Sequence, residues 1–275
     1  MMLKKSCGGI LKVELQGGLG NILFQVSNGL NLGLEYDLPI RFIDKGVSEP
    51  NLISSMFSLH FKKDYKFNGK EIFQIDNQNH DRCKFNRFLE LNSTYNKIHL
   101  SCKHSTISGY FQSIKYFNPI QKFLRSTLDH IKVEDRKFYE IGVHIRLGDY
   151  LSRQNRRIYH QLEPNYFIKG INSLKTKANI LSEEITVFTN DKKVFELKYS
   201  SFFAGKSLTV FQSNSLISFA TLCSFRNIVI SNSTFSWWAA WLGQSNTVAP
   251  NFWYTDKSKL QFDKVNFELP NWKLI

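Results

Sequence analysis

From Tyr139 to Ile145, apolar residues alternate with smaller or polar ones, which predicts a half-buried strand. Leu11, Val13 and Leu15 alternate with Lys12 and Glu14 and predict another, at the start of the chain. In the segment ILFQVSNGLNLGLEY, Ile22, Val26, Leu30 and Leu34 recur every four residues, the pattern of an amphipathic helix with one buried stripe. Pro39 to Asp44 reads as a further strand. Residues 62–103 are polar, rich in Asn and Lys, with isolated aromatics, and support no assignment; variable specificity segments have this character. Gly109 to Phe117 reads as a short aromatic strand or turn, and Asn118-Pro119 starts a helix running to about Asp129. The charged residues 130–138 mark a boundary between two halves.

The second half is more regular. Glu163-Pro164 opens a helix reaching about Thr176, with Pro164 where a helix start tolerates a missing N–H. Ile185–Thr189 reads as a strand that ends in Asn190-Asp191, with a helix after it. Ser207–Phe211 and Ile228–Ser231 read as strands with a helix, Ser215–Ser224, between them. FSWWAAWLG is a helix that stops at Gly243, and Thr247-Val248 begins the next strand. Strands and helices alternating at this spacing predict an α/β fold on a parallel sheet. Trp237, Trp238 and Trp241 share their helix with Ala239 and Ala240, so at least two of the three belong to the core.

Composition narrows the classes. A chain of 275 residues with 42% hydrophobic and 15% aromatic content, 24 of them Phe, supplies a packed core for one large or two smaller domains and is not disordered. No stretch approaches the apolar length of a membrane span. The run near the N-terminus is broken by Lys12 and Glu14, so it fails as a signal peptide and predicts a cytoplasmic protein. Cys7, Cys83, Cys102 and Cys223 lie far apart without a C-x-x-C, which predicts free thiols rather than a zinc site or a disulfide framework. The net charge of +13 suits a nucleotide, a nucleic acid or an anionic membrane surface, or is simply solvated lysine. The lysines are scattered and no nucleic-acid-binding module is present, so no nucleic-acid partner is expected.

Three loops carry candidate chemistry. In GVHIRLGDY, Gly142 to Tyr150, His144 and Arg146 stand two apart and project to the same side of an extended segment. The flat guanidinium fork matches phosphate oxygens, so the pair suits a pyrophosphate; Asp149 either orients Arg146 or accepts a proton. The competing reading is a strand end with a local Arg–Asp pair. Ser231-Asn232-Ser233-Thr234 precedes a helix and presents hydroxyls and free N–H groups, a ready anion site, although a plain cap needs only one of the four. Gln16-Gly17-Gly18-Leu19-Gly20-Asn21 joins the first strand to the first helix, with Asn21 where a helix cap would sit. It matches neither G-x-G-x-x-G, since Leu23 replaces the third Gly, nor a P-loop, and reads equally as a tight turn or a ligand-facing loop.

GGLGNILFQ, VHIRLGDY and ISNSTFSWWAAWLG resemble, in order and spacing, the motifs of the α-1,2-fucosyltransferases, glycosyltransferase family 11. GYFQSIKYF and ITVFTND are similar to two further segments of that family, and the resemblance spans roughly residues 11–250. It implies an α/β, GT-B-type fold, two Rossmann-like domains facing across a cleft: residues 1–130 on the acceptor side and 131–275 binding GDP-fucose. It also implies a galactoside 2-alpha-L-fucosyltransferase-like enzyme. Such an enzyme inverts the fucose anomeric carbon and transfers to the 2-hydroxyl of a galactose-type acceptor, with GDP-fucose as donor and neither metal nor other cofactor. The acceptor would be a galactose-containing oligosaccharide or a lipid-linked glycan, as in O-antigen synthesis.

Carried over by position, Arg146 holds the β-phosphate and stabilises the departing GDP, with His144 in support and Asp149 fixing Arg146. Asn190 and Asp191 lie near the nucleotide. Asn232, Ser233, Thr234 and Phe235 form the phosphate and fucose end of the donor pocket. Asn21, with Gly18 and Gly20, reaches toward the leaving group, and Gln112 lines the cleft. Leu147 stands where the family usually has a second Arg, and Asn190 replaces an acidic residue or Ser of many relatives. The loop carrying Arg153, Arg156 and Arg157 is unusually basic.

The residues alone fit this chemistry. Breaking a nucleotide-sugar bond builds negative charge on the diphosphate, which preplaced donors must neutralise, and the sequence contains no Asp-x-Asp pair of the metal-dependent kind. The catalytic base stays open among Asp149 and, less favoured, Glu163 and His144. Two other readings stand beside it: another GDP-sugar or acceptor on the same fold, and a non-catalytic sugar- or nucleic-acid-binding protein. An enzyme acting on lipid-linked polysaccharide would sit on the inner membrane face, where the positive charge helps.

Overall fold

The computed structural model describes residues 9–48, 66–67, 70–71, 74–75, 86–90, 95–100, 104–128, 137–255 and 272–275, and the account below concerns those residues. The chain divides after Leu128 into two compact units, each with its own parallel sheet.

In the first unit, β1 (Leu11–Gly17), α1 (Leu19–Tyr36) and β2 (Ile40–Val47) form a parallel βαβ unit, with Leu11 opposite Ile40 and Leu15 opposite Asp44. The two-residue strands β3 (Lys66–Phe67) and β4 (Lys70–Glu71) pair with each other, antiparallel. β5 (Gln74–Ile75), β6 (Asn86–Leu89) and β7 (Ser105–Ser108) complete a sheet of order β5-β2-β1-β7-β6. β7, with the sequence STIS and one large apolar side chain, carries no readable alternation and was not expected. Between Gly109 and Phe117 the chain turns and forms a 3-10 turn at Ile114–Tyr116 rather than a strand; a second 3-10 turn, Asn118–Ile120, leads into α2 (Gln121–Leu128). Asp129, the expected end of that helix, lies outside the described residues.

α1 differs from its expected form in two ways. Gly29 and Gly33 let it settle onto the sheet: a Cβ on Gly29 would stand 2.7 Å from Val13 Cγ2, and one on Gly33 2.5 Å from Ile40 Cδ1. So close an approach buries not one stripe but most of the first four turns, Gln25, Ser27, Asn28 and Asn31 included. The helix also starts at Leu19, with Gly18 at the N-cap, because Gly17 at φ +85° makes the whole turn. Asn21 therefore lies inside the first turn and is not the cap.

The second unit runs β8 (Lys137–Ile145), α3 (Pro164–Ala178), β9 (Glu184–Thr189), α4 (Lys192–Lys198), β10 (Ser207–Phe211), α5 (Ser215–Ser224), β11 (Phe225–Val229), α6 (Thr234–Gly243), β12 (Asn246–Ala249) and β13 (Trp272–Leu274). Its strands lie in the order β10-β9-β8-β11-β12-β13, all neighbours parallel. Numbered from β8, that is 3-2-1-4-5-6, the Rossmann order, whose ligand crevice opens where the order reverses, here between β8 and β11.

The alternation in β8 sorts the two faces. Val143, Ile145 and Leu147 enter one apolar core with Phe167, Ile171 and Leu174 of α3 and Phe195 of α4. Gly142 and His144 face the other way: a Cβ on Gly142 would meet Phe225 and Leu222, and His144 meets Phe235 of α6. Helices thus cover both faces, and the four consecutive residues Ile185 to Phe188 of β9 are all buried for that reason. Trp237, Trp238 and Trp241 are all buried, as expected for at least two of them. β11 begins and ends earlier than expected; Ser231 has left the sheet and its side chain turns toward β8. Cys223 is a buried thiol in no disulfide, and the other three cysteines lie outside the described residues. Among the described residues no helix is long and apolar enough to cross a membrane.

Candidate active site

The switch point of the second unit gathers most of the residues singled out above. His144 is the last polar residue of β8, nearly inaccessible at 4%, and its Nδ1 lies 2.7 Å from Ser231 Oγ across the reversal. Its ring stacks on Phe235 at 5.3 Å. Burial first, and then the charge of Arg146, push its pKa down to about 3, so the imidazole is neutral near pH 7 and a weak base. That makes it a neutral hydrogen-bonding post between two loops.

Two residues on, Arg146 leaves the sheet half-exposed. One guanidinium nitrogen lies 2.8 Å from Asp149 Oδ1, and the group sits 5.4 Å from the centroid of the Tyr150 ring. The backbone turn that brings Asp149 round is made by Gly148 at φ +53°, against which Asn190 packs; a Cβ there would stand 2.7 Å from Asn190 Nδ2. Asn190 clamps the same turn. Its Oδ1 accepts from Leu147 N at 2.7 Å, and its Nδ2 donates to Leu147 O and to Asp149 Oδ1, each at 3.3 Å. An amide offers both donor and acceptor, which a carboxylate does not. Leu147, at the family's second-Arg position, is 1% exposed and belongs to the core rather than to the loop surface.

Tyr150, to which the sequence assigned no role, ties the two loops together. Its hydroxyl donates to Asn232 O at 3.0 Å, and its ring stacks on Tyr159 at 4.2 Å. Burial raises its phenol well above the ordinary range, so it stays a donor. The signal was an aromatic directly after an Arg–Asp turn, a common seat for a guanidinium. Asn232 is 2% exposed and spends both amide hydrogens on carbonyls, His160 O at 2.9 Å and Trp253 O at 2.8 Å, so its side chain holds the loop in place. Ser233 is the N-cap of α6, yet its side chain makes no capping bond; Thr234 opens the helix and Phe235 follows. The Ser233 N–H is itself donated to Ser231 O at 2.8 Å, so what this helix start offers an anion is the positive end of the α6 dipole. Asp191 caps α4 through Val194 N at 3.0 Å, a local structural use of its carboxylate.

The first unit has a matching feature at its own reversal, between β1 and β7. Gly17 makes the turn and Gly18 is the N-cap of α1, with open space where a Cβ would be, while Gly20 is buried in the first turn of α1. Asn21 Oδ1 accepts from Gln112 Nε2 at 2.9 Å. Behind them Gln25, fully buried, bonds Gln16 N, Gln16 O and Gly109 O. The loop bearing Gln112 is held by Glu90, whose Oε2 accepts from Tyr110 N and Phe111 N, each at 2.7 Å. Burial raises the Glu90 carboxyl while those two N–H groups pull it back. The anchor restrains a strained backbone: Phe111, buried, has φ +51°. Glu90 lies in the stretch without sequence pattern, and nothing there marked it.

Arg146, His144, Asp149, Asn190, Asp191, Asn232, Ser233, Thr234 and Phe235 thus cluster at the second unit's switch point, whereas Gly18, Gly20 and Asn21 belong to the first unit's. The comparisons with known proteins agree with what these loops suggest. The model of glycosyl transferase family 11 matches residues 52–275. An alpha-1,2-colitosyltransferase of Escherichia coli is 27% identical over 289 aligned residues, covering 92% of this chain and 96% of that protein. An O-antigen biosynthesis glycosyltransferase of Escherichia coli, WbnK, is 32% identical over 133 residues, 44% of this chain and 42% of that protein. With a phosphate-suited arginine and a helix start meeting at a Rossmann reversal, and with the family's model running through both, the chain belongs to glycosyl transferase family 11.

Proposed function

We propose that the protein transfers L-fucose from GDP-fucose, with inversion, to the 2-hydroxyl of a galactose-type residue in an O-antigen or similar surface glycan. The observation that carries this reading is the convergence of Arg146 and the α6 start, joined by the His144–Ser231 contact of 2.7 Å and the Tyr150–Asn232 bond of 3.0 Å. In the proposed reaction the acceptor hydroxyl oxygen attacks the fucose C1, and the C1–O bond to the β-phosphate breaks with its electron pair on GDP. Arg146 and the positive end of the α6 dipole, which begins at Thr234, neutralise that charge in a site already shaped for it. Asp149, the carboxylate paired with Arg146 at 2.8 Å, takes the acceptor proton late; His144, held neutral with a pKa near 3, positions rather than accepts. Asn190 and Asp191 border the nucleotide, and Asn21 with Gln112 serves the leaving group from the first unit. The proposal includes the metal-independent route, the GT-B-type arrangement, residues 1–130 as acceptor domain and 131–275 as donor domain, and a cytoplasmic protein resting on the inner membrane face.

A second reading is favoured by the colitosyltransferase relative: the donor sugar is colitose, which is fucose without its 3-hydroxyl. A pocket built to hydrogen-bond that hydroxyl rejects colitose by about 10⁴-fold or more, whereas an apolar wall separates the two by no more than about 10²-fold. Competing GDP-fucose, GDP-colitose and GDP-mannose for methyl β-galactoside, with the product linkage read by NMR, decides the donor. Preferential fucose transfer to O2 is expected. Equal or greater use of GDP-mannose overturns the deoxy-sugar reading, and a linkage other than to O2 overturns the acceptor position.

A further inference from the structure

One strand beyond the switch point, the second unit carries a cavity of about 300 Å³ to which the donor chemistry gives no task. It lies between the segment leading into α3, the first turns of α3 and the chain after β12, at the same carboxyl edge of the sheet as Arg146. His160, Glu163, Tyr166, Lys169, Asn251 and Phe252 line it. We infer that this cavity is a subsite for a neutral sugar unit of the acceptor glycan, beyond the unit that is modified. The inference rests on the glycosyltransferase reading and refines its division of labour: the donor unit also takes part of a long acceptor.

The lining argues for the ligand class. Phe252 is 57% exposed, with the His160 ring 5.9 Å away and tilted, so two unlike ring surfaces bound one side. A large exposed aromatic at a cavity mouth suits the C–H face of a pyranose. The side chains of Glu163, Lys169 and Asn251 make no hydrogen bond or ion pair with other described residues, which leaves an acceptor pair, a donor and an amide for hydroxyl groups. One acid against one base disfavours a charged ligand, and the polar rim disfavours an acyl chain. The volume lies at the small end for ligand pockets and fits one hexose.

The walls are already rigid. The Tyr166 hydroxyl donates to Ile230 O at 2.6 Å, the Tyr199 hydroxyl to Leu162 O at 3.1 Å, and His160 N to Trp253 O at 3.0 Å. The hydrogen bonds of Asn232 to His160 O and Trp253 O join this wall to the Ser233–Thr234 loop. The cavity is therefore preorganised and mechanically continuous with the donor loop, so filling it would align a long acceptor without ordering the protein first.

The test compares Phe252→Ala and Lys169→Met with the wild type, using methyl β-galactoside and a galactose-terminated tetrasaccharide as acceptors. Expected is a roughly tenfold rise in KM for the tetrasaccharide, with kcat within twofold and the KM for methyl galactoside unchanged. Equal KM rises for both acceptors, or no change for either, overturn the subsite. Should the wild type transfer no sugar at all, the fucosyl reading fails by itself. Saturation-transfer NMR of the tetrasaccharide still reads the cavity: transfer lost in Phe252→Ala supports it, and identical spectra for wild type and variant overturn it. Melting curves of the two variants must match the wild type, as expected for exposed side chains.

Discussion

Lowering the pH from 7 to 5 charges His144 in the unfolded chain but not in the folded second unit. The unfolded imidazole titrates near 6.5, whereas burial and the neighbouring Arg146 bring the folded group to about 3. A folded pKa below the unfolded one means the unfolded state binds the extra proton. Stability is therefore full above pH 6.5 and falls as pH drops from 6.5 toward 3, at most about 1.4 kcal/mol per pH unit. Between pH 7 and pH 5 the loss comes to about 2 kcal/mol, a sizeable part of the 5–15 kcal/mol typical of a domain. Keeping the pH at 5 or above avoids Glu183, whose carboxyl is pulled below its usual value by Lys175 and so withdraws its own contribution only in more acid solution. Glu90 acts in the opposite sense, its raised carboxyl favouring the folded state at low pH, but it belongs to the first unit. All five tryptophans, at positions 237, 238, 241, 253 and 272, lie in the second unit, so urea titrations followed by tryptophan emission report that unit alone. His144→Asn keeps a polar group toward Ser231 and removes the titration. The wild type should lose about 2 kcal/mol between the two pH values and the variant far less. Parallel losses, or a His144 ring resonance that titrates near 6.5, would refute the reasoning.

Arg146→Lys keeps the charge but loses the planar fork and the seat over Tyr150, and kcat should fall about 100-fold with the fold intact; turnover within threefold of wild type contradicts the phosphate role. Leu147→Arg, which restores the residue type the family usually carries there, forces a charge into the core around Phe167 and Val229 and should cost about 3 kcal/mol or more in the same urea assay. A stable variant with tighter GDP binding would show that this position faces the nucleotide. Glu90→Ala removes both acceptor bonds that hold Phe111 at φ +51° and should lower the melting transition of the first unit, read by far-UV circular dichroism, by the equivalent of about 2 kcal/mol. Glu90→Gln keeps one acceptor oxygen and should recover most of that loss; equal loss in both variants would mean the charge, not the acceptor, matters.

The pattern of the chain determined more of this protein than its charge did. Alternation placed β1 and β8, and short apolar segments bounded by polar turns placed β9, β10 and most helices of the second unit within a few residues, because strands and their crossover helices carry apolar residues wherever they pack on one another. The motif spacing marked both loops of the cluster at the second unit's switch point because each hangs directly from a strand end. The first unit was less legible. β7 has a single large apolar residue, and Glu90, which holds the Gln112 loop, acts on backbone N–H groups that leave no trace in residue type. Only the tertiary structure decided that β8 and β11 are neighbours, which turns two distant motifs into one site, and that Leu147 points into the core while His144 and Arg146 point away. It also decided that Asn21 faces Gln112 instead of capping a helix, since Gly17 alone makes that turn. Side-chain direction at a strand end and the partner of a buried polar group depend on what the fold brings alongside, and no local pattern encodes that.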